Sequence, residues 1–210
     1  MSKPSLERLL EEEFAGGRIV LGQVLVCRRE DGAFELTHRG ISPGKEFVAD
    51  EGSEITKFDD DGKYRPLKTA PNLSHGWKIV VPNLFAAIEA IDAIYPGRLA
   101  AWFAWNNGRL TTTALRQTLN RQTGMYRAAA KISDDQLDHL VGDFCRSNGG
   151  CLRTILWRRD ESGALPSKKL PPEKFQPEFD QTGAGERCIP LLCPEACNLL
   201  VAACRNVVKL

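Results

Sequence analysis

The sequence lacks a long apolar run, a secretory signal and a strong net charge. It has 28 basic and 27 acidic residues, a net charge of +1, and both signs are interspersed, so no basic face for nucleic acid or an anionic membrane is predicted. No stretch approaches the roughly 20 apolar residues of a membrane-spanning helix. The first residues form a charged amphipathic pattern without the apolar segment of a signal peptide. We therefore expect a cytoplasmic protein with no membrane or nucleic-acid partner.

The sequence also has little that resembles catalytic machinery. Its three histidines, His38, His75 and His139, are scattered along the chain. No nucleophile motif, phosphate-binding loop or pair of carboxylates is recognisable. The chain is therefore predicted not to be an enzyme by itself.

The residues that do indicate a function are cysteines. Four of the seven cysteines stand in two pairs, Cys145 and Cys151 in FCRSNGGC, then Cys193 and Cys197 in LLCPEACNLL. In a reducing compartment such thiols are more often metal ligands than disulfides, and an odd total argues against a closed disulfide framework. We predict that these four cysteines form one metal site.

The spacing of the cysteines bears on which metal they bind. A structural zinc site usually contains a C-x2-C knuckle, whereas the pairs here are C-x5-C and C-x3-C, which favours a cluster of four irons and four sulfides. The ferredoxin run of three close cysteines is absent, so zinc or no metal stays open. Cys188 is the alternative ligand, while Cys204, two helical turns beyond Cys197 and about 10 Å away, is predicted to lie outside the shell.

The surroundings of the two pairs suggest how their negative charge is stabilised. Pro194 suits a first helical turn, so Cys193 is predicted near the N-cap of the final helix and Cys197 one turn later. The amides and the dipole of that helix would then favour thiolates. The first pair has basic neighbours, which either offset its charge or form a solvated face: Arg146, Arg153, Arg158 and Arg159.

The remaining pattern predicts an α+β protein in two parts. Residues 1–62 indicate a small unit of a helix at 5–14 and a β-hairpin with strands at 19–28 and 34–38, with a boundary in a stretch rich in Gly, Asp, Glu and Ser. Residues 63–210 indicate an α+β metal-binding domain closed by a C-terminal helix. Its expected elements are a strand at 77–81, a helix capped by Asn83, a hairpin of 99–105 with 109–113 around Asn-Asn-Gly, and helices at 114–123 and 133–144. The last of these helices is expected to begin with a capping box from Ser133 to Gln136.

Several separated stretches resemble a known family: YRPLKTAPNLSHGWKI, NRQTGMYR, FCRSNGGCLRTILW and IPLLCPEACNLLVAA. They are similar to the C-terminal iron–sulfur region of bacterial sirohydrochlorin cobaltochelatase-like proteins, over about residues 63–208. The region before them resembles the small stabilising domain of the same family. The resemblance implies a 4Fe-4S cluster on Cys145, Cys151, Cys193 and Cys197. A chelatase domain and its histidine pair are not recognisable in this sequence.

Two functional hypotheses follow. The first is an iron–sulfur protein for electron transfer or redox support of a tetrapyrrole metal-insertion system of the sirohydrochlorin or cobalamin type, with a separate chelatase or redox protein as partner. The second is a non-enzymatic binding module whose four-cysteine cluster or zinc site is purely structural, so that metal binding contributes folding energy alone.

Overall fold

A computed structural model of the chain describes residues 5–38, 47–57, 76–122, 124–146, 153–166 and 187–209. The chain forms two compact units: unit 1 comprises residues 1–108 and 178–191, and unit 2 comprises residues 109–177 and 192–210. Helices and a mixed sheet are present, which confirms the α+β prediction. Within the described ranges, no helix is long and apolar enough to cross a membrane.

The helices and strands divide between the units as follows. Unit 1 contains helices α1 (Leu6–Glu13), α2 (Gly52–Lys57), α3 (Leu84–Ile94) and α4 (Arg98–Asn106), with strands β1 (Arg18–Leu21), β2 (Val24–Arg28), β3 (Phe34–His38), β4 (Phe47–Ala49), β5 (Trp77–Val81) and β7 (Arg187–Ile189). Unit 2 contains helices α5 (Leu115–Arg121), α6 (Asp134–Val141) and α7 (Asn198–Lys209), with strands β6 (Thr154–Ile155) and β8 (Leu192–Cys193).

Unit 1 is built on a six-stranded sheet in the order β4-β5-β3-β2-β1-β7. Strands β4 and β7 pair in parallel with their neighbours, and the other pairs are antiparallel. Alternate residues of β2, β3 and β5 are buried, as expected for a sheet that packs one face against helices. Because β5 pairs with β3 along Phe34↔Val81, it belongs to the N-terminal sheet. The boundary predicted after residue 62 therefore differs from the division at residue 108.

The predicted strand over residues 19–28 is in fact two strands joined by a tight turn. Leu21 pairs with Val24, and Gly22 between them has φ +55°, a conformation that favours glycine. A Cβ at Gly22 would come within 2.6 Å of Leu191 and 2.8 Å of the Tyr95 hydroxyl. That hydroxyl also accepts a hydrogen bond from the amide of Gln23 at 3.0 Å.

The predicted hairpin at residues 99–113 was wrong, because residues 98–106 form helix α4. The Asn-Gly signal ends this helix: Gly108 has φ +62° and its amide donates to the carbonyl of Trp105 at 3.0 Å. Positive φ is what a helix C-terminus and a tight hairpin both require. Within α4, Trp102 is buried, whereas Trp105 is 52% exposed.

Unit 2 has its own apolar core, which includes Leu119, Trp157 and Leu200. The predicted capping box is confirmed: the Ser133 hydroxyl accepts from the Gln136 amide at 3.2 Å, and the Gln136 side chain accepts from the Ser133 amide at 3.0 Å. The helix that follows is shorter than expected. It changes at residue 142 into a π-helical turn, Gly142–Arg146.

Candidate metal centre

Three of the four predicted ligands lie in the described part of unit 2, and Cys151 lies outside the described residues. Cys145 is on the π-helical turn after α6, Cys193 ends strand β8, and Cys197 directly precedes α7. Cys145 and Cys193 are both half-buried and pack against the unit 2 core. Cys197 is exposed.

Helix α6 delivers Cys145 through an unusual turn. A π-helical turn is wider than an α-helical one and frequently occurs at functional sites. His139, six residues earlier, is 83% exposed on its side chain and lies 3.2 Å from Asp143. His139 is therefore a surface residue of unit 2.

Cys193 is fixed by the short parallel pair of β6 and β8. Ile155 is its strand partner, and its carbonyl accepts from the Leu156 amide at 2.9 Å. Its thiol donates to the carbonyl of Glu195 at 3.3 Å. Strand β6 begins three residues after Cys151, the second cysteine of the first predicted pair. It pairs with β8, which contains Cys193 of the second predicted pair.

The predicted start of the last helix needs correction. Helix α7 begins at Asn198, so Cys193 lies in a strand and Pro194 is not in a first helical turn. Cys197 holds the cap position, because its carbonyl accepts the first helical hydrogen bond from the Val201 amide at 3.1 Å. The positive end of the helix dipole therefore lies next to Cys197.

The other cysteines differ from these three in burial or in location. Cys204 is completely buried in the unit 2 core, and burial raises the pKa of its thiol to about 11. Cys188 is exposed on β7 and belongs to unit 1. Cys27 is half-buried in β2, also in unit 1. Burial keeps the Cys204 thiol protonated, so it is a poor ligand.

The arginines near the cysteines differ in their contacts. Arg159 bonds Asp138, lies 3.3 Å from Asp134 and has a raised pKa, mainly because of its hydrogen bond to Asp138. Arg158 donates to the Gly163 carbonyl at 3.5 Å. Arg153 is half-buried, and its Nε has no hydrogen-bond partner among the described residues. Arg159 therefore pairs with carboxylates. The side chain of Arg146 lies outside the described part of the structure.

Sequence analysis missed the residues that hold the second cysteine pair. The Thr113 amide donates to the Pro194 carbonyl at 3.0 Å, and the Thr118 hydroxyl donates to the Glu195 carboxylate at 3.2 Å. Arg121 lies 3.9 Å from the same carboxylate. These residues lie more than 70 positions away in the sequence, and no local pattern indicates such contacts.

The predicted ligands are of the residue type that binds iron–sulfur clusters. Cysteine thiolates are the usual ligands of such clusters, and the side chains of Cys145, Cys193 and Cys197 are half-buried or exposed rather than enclosed. Over the described ranges, no group of three or more His, Cys, Asp and Glu side chains is close enough to hold a metal ion. The ligand set therefore remains a prediction that includes Cys151.

Comparison with known proteins identifies two domains in the chain. Residues 107–206 match a 4Fe-4S iron-sulfur cluster binding domain, and residues 8–106 match the DR2241 stabilising domain. The predicted resemblance is confirmed in both of its parts. Residues 8–206 are thus similar, in chain order, to a stabilising domain of this kind and to a 4Fe-4S cluster-binding domain.

A solved structure is similar to nearly the whole chain. DR2241 from Deinococcus radiodurans matches with a TM-score of 0.70 and 26% identity, over 97% of this chain and 41% of that one. DR2241 is described as a multi-domain protein with structural similarity to chelatases and two additional novel domains. The present chain therefore spans less than half the length of DR2241. A search of curated proteins found no match.

Proposed function

We propose that the chain binds one 4Fe-4S cluster through Cys145, Cys151, Cys193 and Cys197, and that this cluster transfers single electrons. All four cysteines fall within the matched cluster-binding domain. The observation that carries the proposal is the loop that begins at the half-buried Cys193 and ends at the exposed Cys197, directly before α7. When bound, the cluster supplies one-electron redox chemistry.

The protein supplies position and charge around the thiols. The β6–β8 pair fixes the backbone of Cys193, and the α7 dipole favours negative charge at Cys197. The first amides of a helix have no intrahelical acceptor and can donate toward sulfur. Hydrogen bonds and dipoles of this kind tune the potential of a cluster.

We propose a separate chelatase or redox protein as the partner, in support of a tetrapyrrole metal-insertion system. This part of the proposal draws on the chelatase similarity described for DR2241. The expectation of no membrane or nucleic-acid partner, and of no catalysis by this chain alone, belongs to the same proposal.

Anaerobic reconstitution tests the cluster and its ligands. The wild type is expected to bind four irons and four sulfides, to turn brown, and to be reduced reversibly by dithionite. Serine at each of the four proposed positions should lower the iron content. Cys27→Ser and Cys188→Ser, both in unit 1, are the matched controls and should leave it unchanged. A colourless protein, or iron loss only in Cys188→Ser, would contradict the ligand assignment.

A structural metal is the second candidate. Cys145 and Cys193 pack against the same small core, so a metal between their segments would tie the π-helical turn to β8 and contribute folding energy. Zinc is the alternative metal for this role. A cluster that stabilises the fold but cannot be reduced reversibly, or a zinc-only protein, would favour this function over electron transfer.

A further inference from the structure

The side chain of Glu195 attaches the loop between Cys193 and Cys197 to helix α5. Its Oε1 accepts a hydrogen bond from the Thr118 hydroxyl at 3.2 Å and lies 3.9 Å from Arg121. Thr118 is 4% exposed, whereas the Glu195 side chain is 47% exposed. A buried donor on a helix therefore holds a carboxylate that solvent would otherwise leave free to move.

The main chain of Glu195 contacts a predicted ligand directly. Its carbonyl accepts from the Cys193 thiol at 3.3 Å. The neighbouring Pro194 carbonyl accepts from Thr113, and Ala196 is buried in the unit 2 core. When Cys193 gives up its thiol proton to bind metal, the contact with the Glu195 carbonyl is lost, whereas the bond from Thr118 to the Glu195 carboxylate remains.

We propose that Glu195 is a positioning residue for the cluster. Through Thr118 it fixes the loop that separates Cys193 from Cys197, and through its negative charge it lowers the cluster's reduction potential. This inference rests on the proposed function, because it takes both cysteines as ligands. Ligands held by supporting hydrogen bonds lose less freedom when they bind metal, and a nearby negative charge opposes the addition of an electron.

Four variants separate the hydrogen bond from the charge. Glu195→Gln keeps an acceptor for Thr118 but removes the charge. Thr118→Val keeps the charge but removes the donor, and Glu195→Ala removes both. Thr118→Ser restores the hydroxyl and serves as the conservative variant.

The measurements are the rate of iron loss to a chelator and the midpoint potential of the reconstituted full-length protein. Glu195→Ala and Thr118→Val should lose iron about fivefold faster, the equivalent of one net hydrogen bond. Glu195→Gln and Thr118→Ser should stay close to the wild-type rate. The potential should shift to more positive values in both Glu195 variants and stay unchanged in Thr118→Val.

Two controls lie away from the loop. Glu161→Ala removes an exposed carboxylate of unit 2, and Thr56→Val removes a buried hydroxyl that bonds the Gly52 carbonyl in unit 1. Both should match the wild type in rate and potential. Circular dichroism checks folding, and if Thr118→Val does not fold, Glu195→Ala against Glu195→Gln decides the question.

The outcomes distinguish this inference from the proposed function. A wild type that binds no iron would overturn both. A wild type with a stable cluster, together with Glu195→Ala at the wild-type rate and potential, would overturn the positioning role and leave the ligand assignment standing.

Discussion

The ion pair between Arg159 and Asp138 is predicted to stabilise unit 2 far more than an exposed ion pair stabilises unit 1. Their side chains are only 13% and 12% exposed. The Arg159 carbonyl also accepts from the Arg116 amide at 2.9 Å. Arg159 therefore joins the segment after β6 to helices α5 and α6.

The magnitude follows from this burial. Arg159→Met keeps the aliphatic stem but deprives Asp138 of its guanidinium, and removing one partner of a buried pair costs about 3–5 kcal/mol. Because both side chains keep some solvent contact, we expect about 2–3 kcal/mol here. The exposed pair Arg8 and Glu12, 65% and 60% exposed, is the matched control, with an expected coupling of about 0.3–0.5 kcal/mol.

Hydrogen exchange measured by mass spectrometry reports the local stability of unit 2, because it follows the α5 and α6 peptides separately from unit 1. Arg159→Met should speed exchange of these peptides by about 30- to 150-fold, since exchange follows the population of the open form. A double-mutant cycle with Asp138→Asn isolates the pair from effects on either residue alone. A coupling no larger than that of the Arg8→Ala, Glu12→Ala cycle would refute the reasoning.

Three further predictions rest on separate observations. Gly22→Ala should destabilise unit 1 by about 2–4 kcal/mol in urea unfolding, because it combines a strained positive φ with overpacking against Leu191 and Tyr95. The control Gly32→Ala, also at positive φ but with nothing within 4 Å, measures the backbone strain alone. A Gly22→Ala stability equal to that of the wild type would contradict the prediction. Ser133→Ala should cost about 1 kcal/mol by removing the capping box of α6, seen as faster exchange in that helix, with Ser53→Ala as the control. Alkylation of Cys204 in the folded protein should be negligible at pH 8 and should increase only as the pH approaches 11, because burial favours the protonated thiol. The exposed Cys188 should react at pH 8 and serves as the control. Rapid labelling of Cys204 under native conditions would contradict its burial.

Local signals predicted the local structure well. Asn83 and Ser133 both cap helices where the sequence placed them, because a cap is a contact between residues three positions apart. The α1 helix and strand β5 also occur at the predicted places. In each case the sequence contains both partners of the stabilising contact within a few residues.

The errors arose where one local signal serves two structures. Asn107-Gly108 supplies the positive φ of a hairpin or of a helix end, and the buried side of α4 made the helix the better solution. Gly22 looked like a strand interior because Tyr95 and Leu191, which crowd it, are distant in sequence. The position of Thr118 against Glu195 depends on the same kind of distant contact.

Cys197 and Cys204 show why residue type and spacing alone do not assign a metal ligand. Seven residues apart, they belong to the same helix and its cap, and each directly follows an alanine. The helix nevertheless places them differently: Cys204 faces the core, where burial raises the pKa of its thiol to about 11, while Cys197 stands exposed at the amino end of α7. The buried Cys204 thiol packs α7 against the core, and that packing fixes the amino end of the helix, where the proposed ligand Cys197 lies.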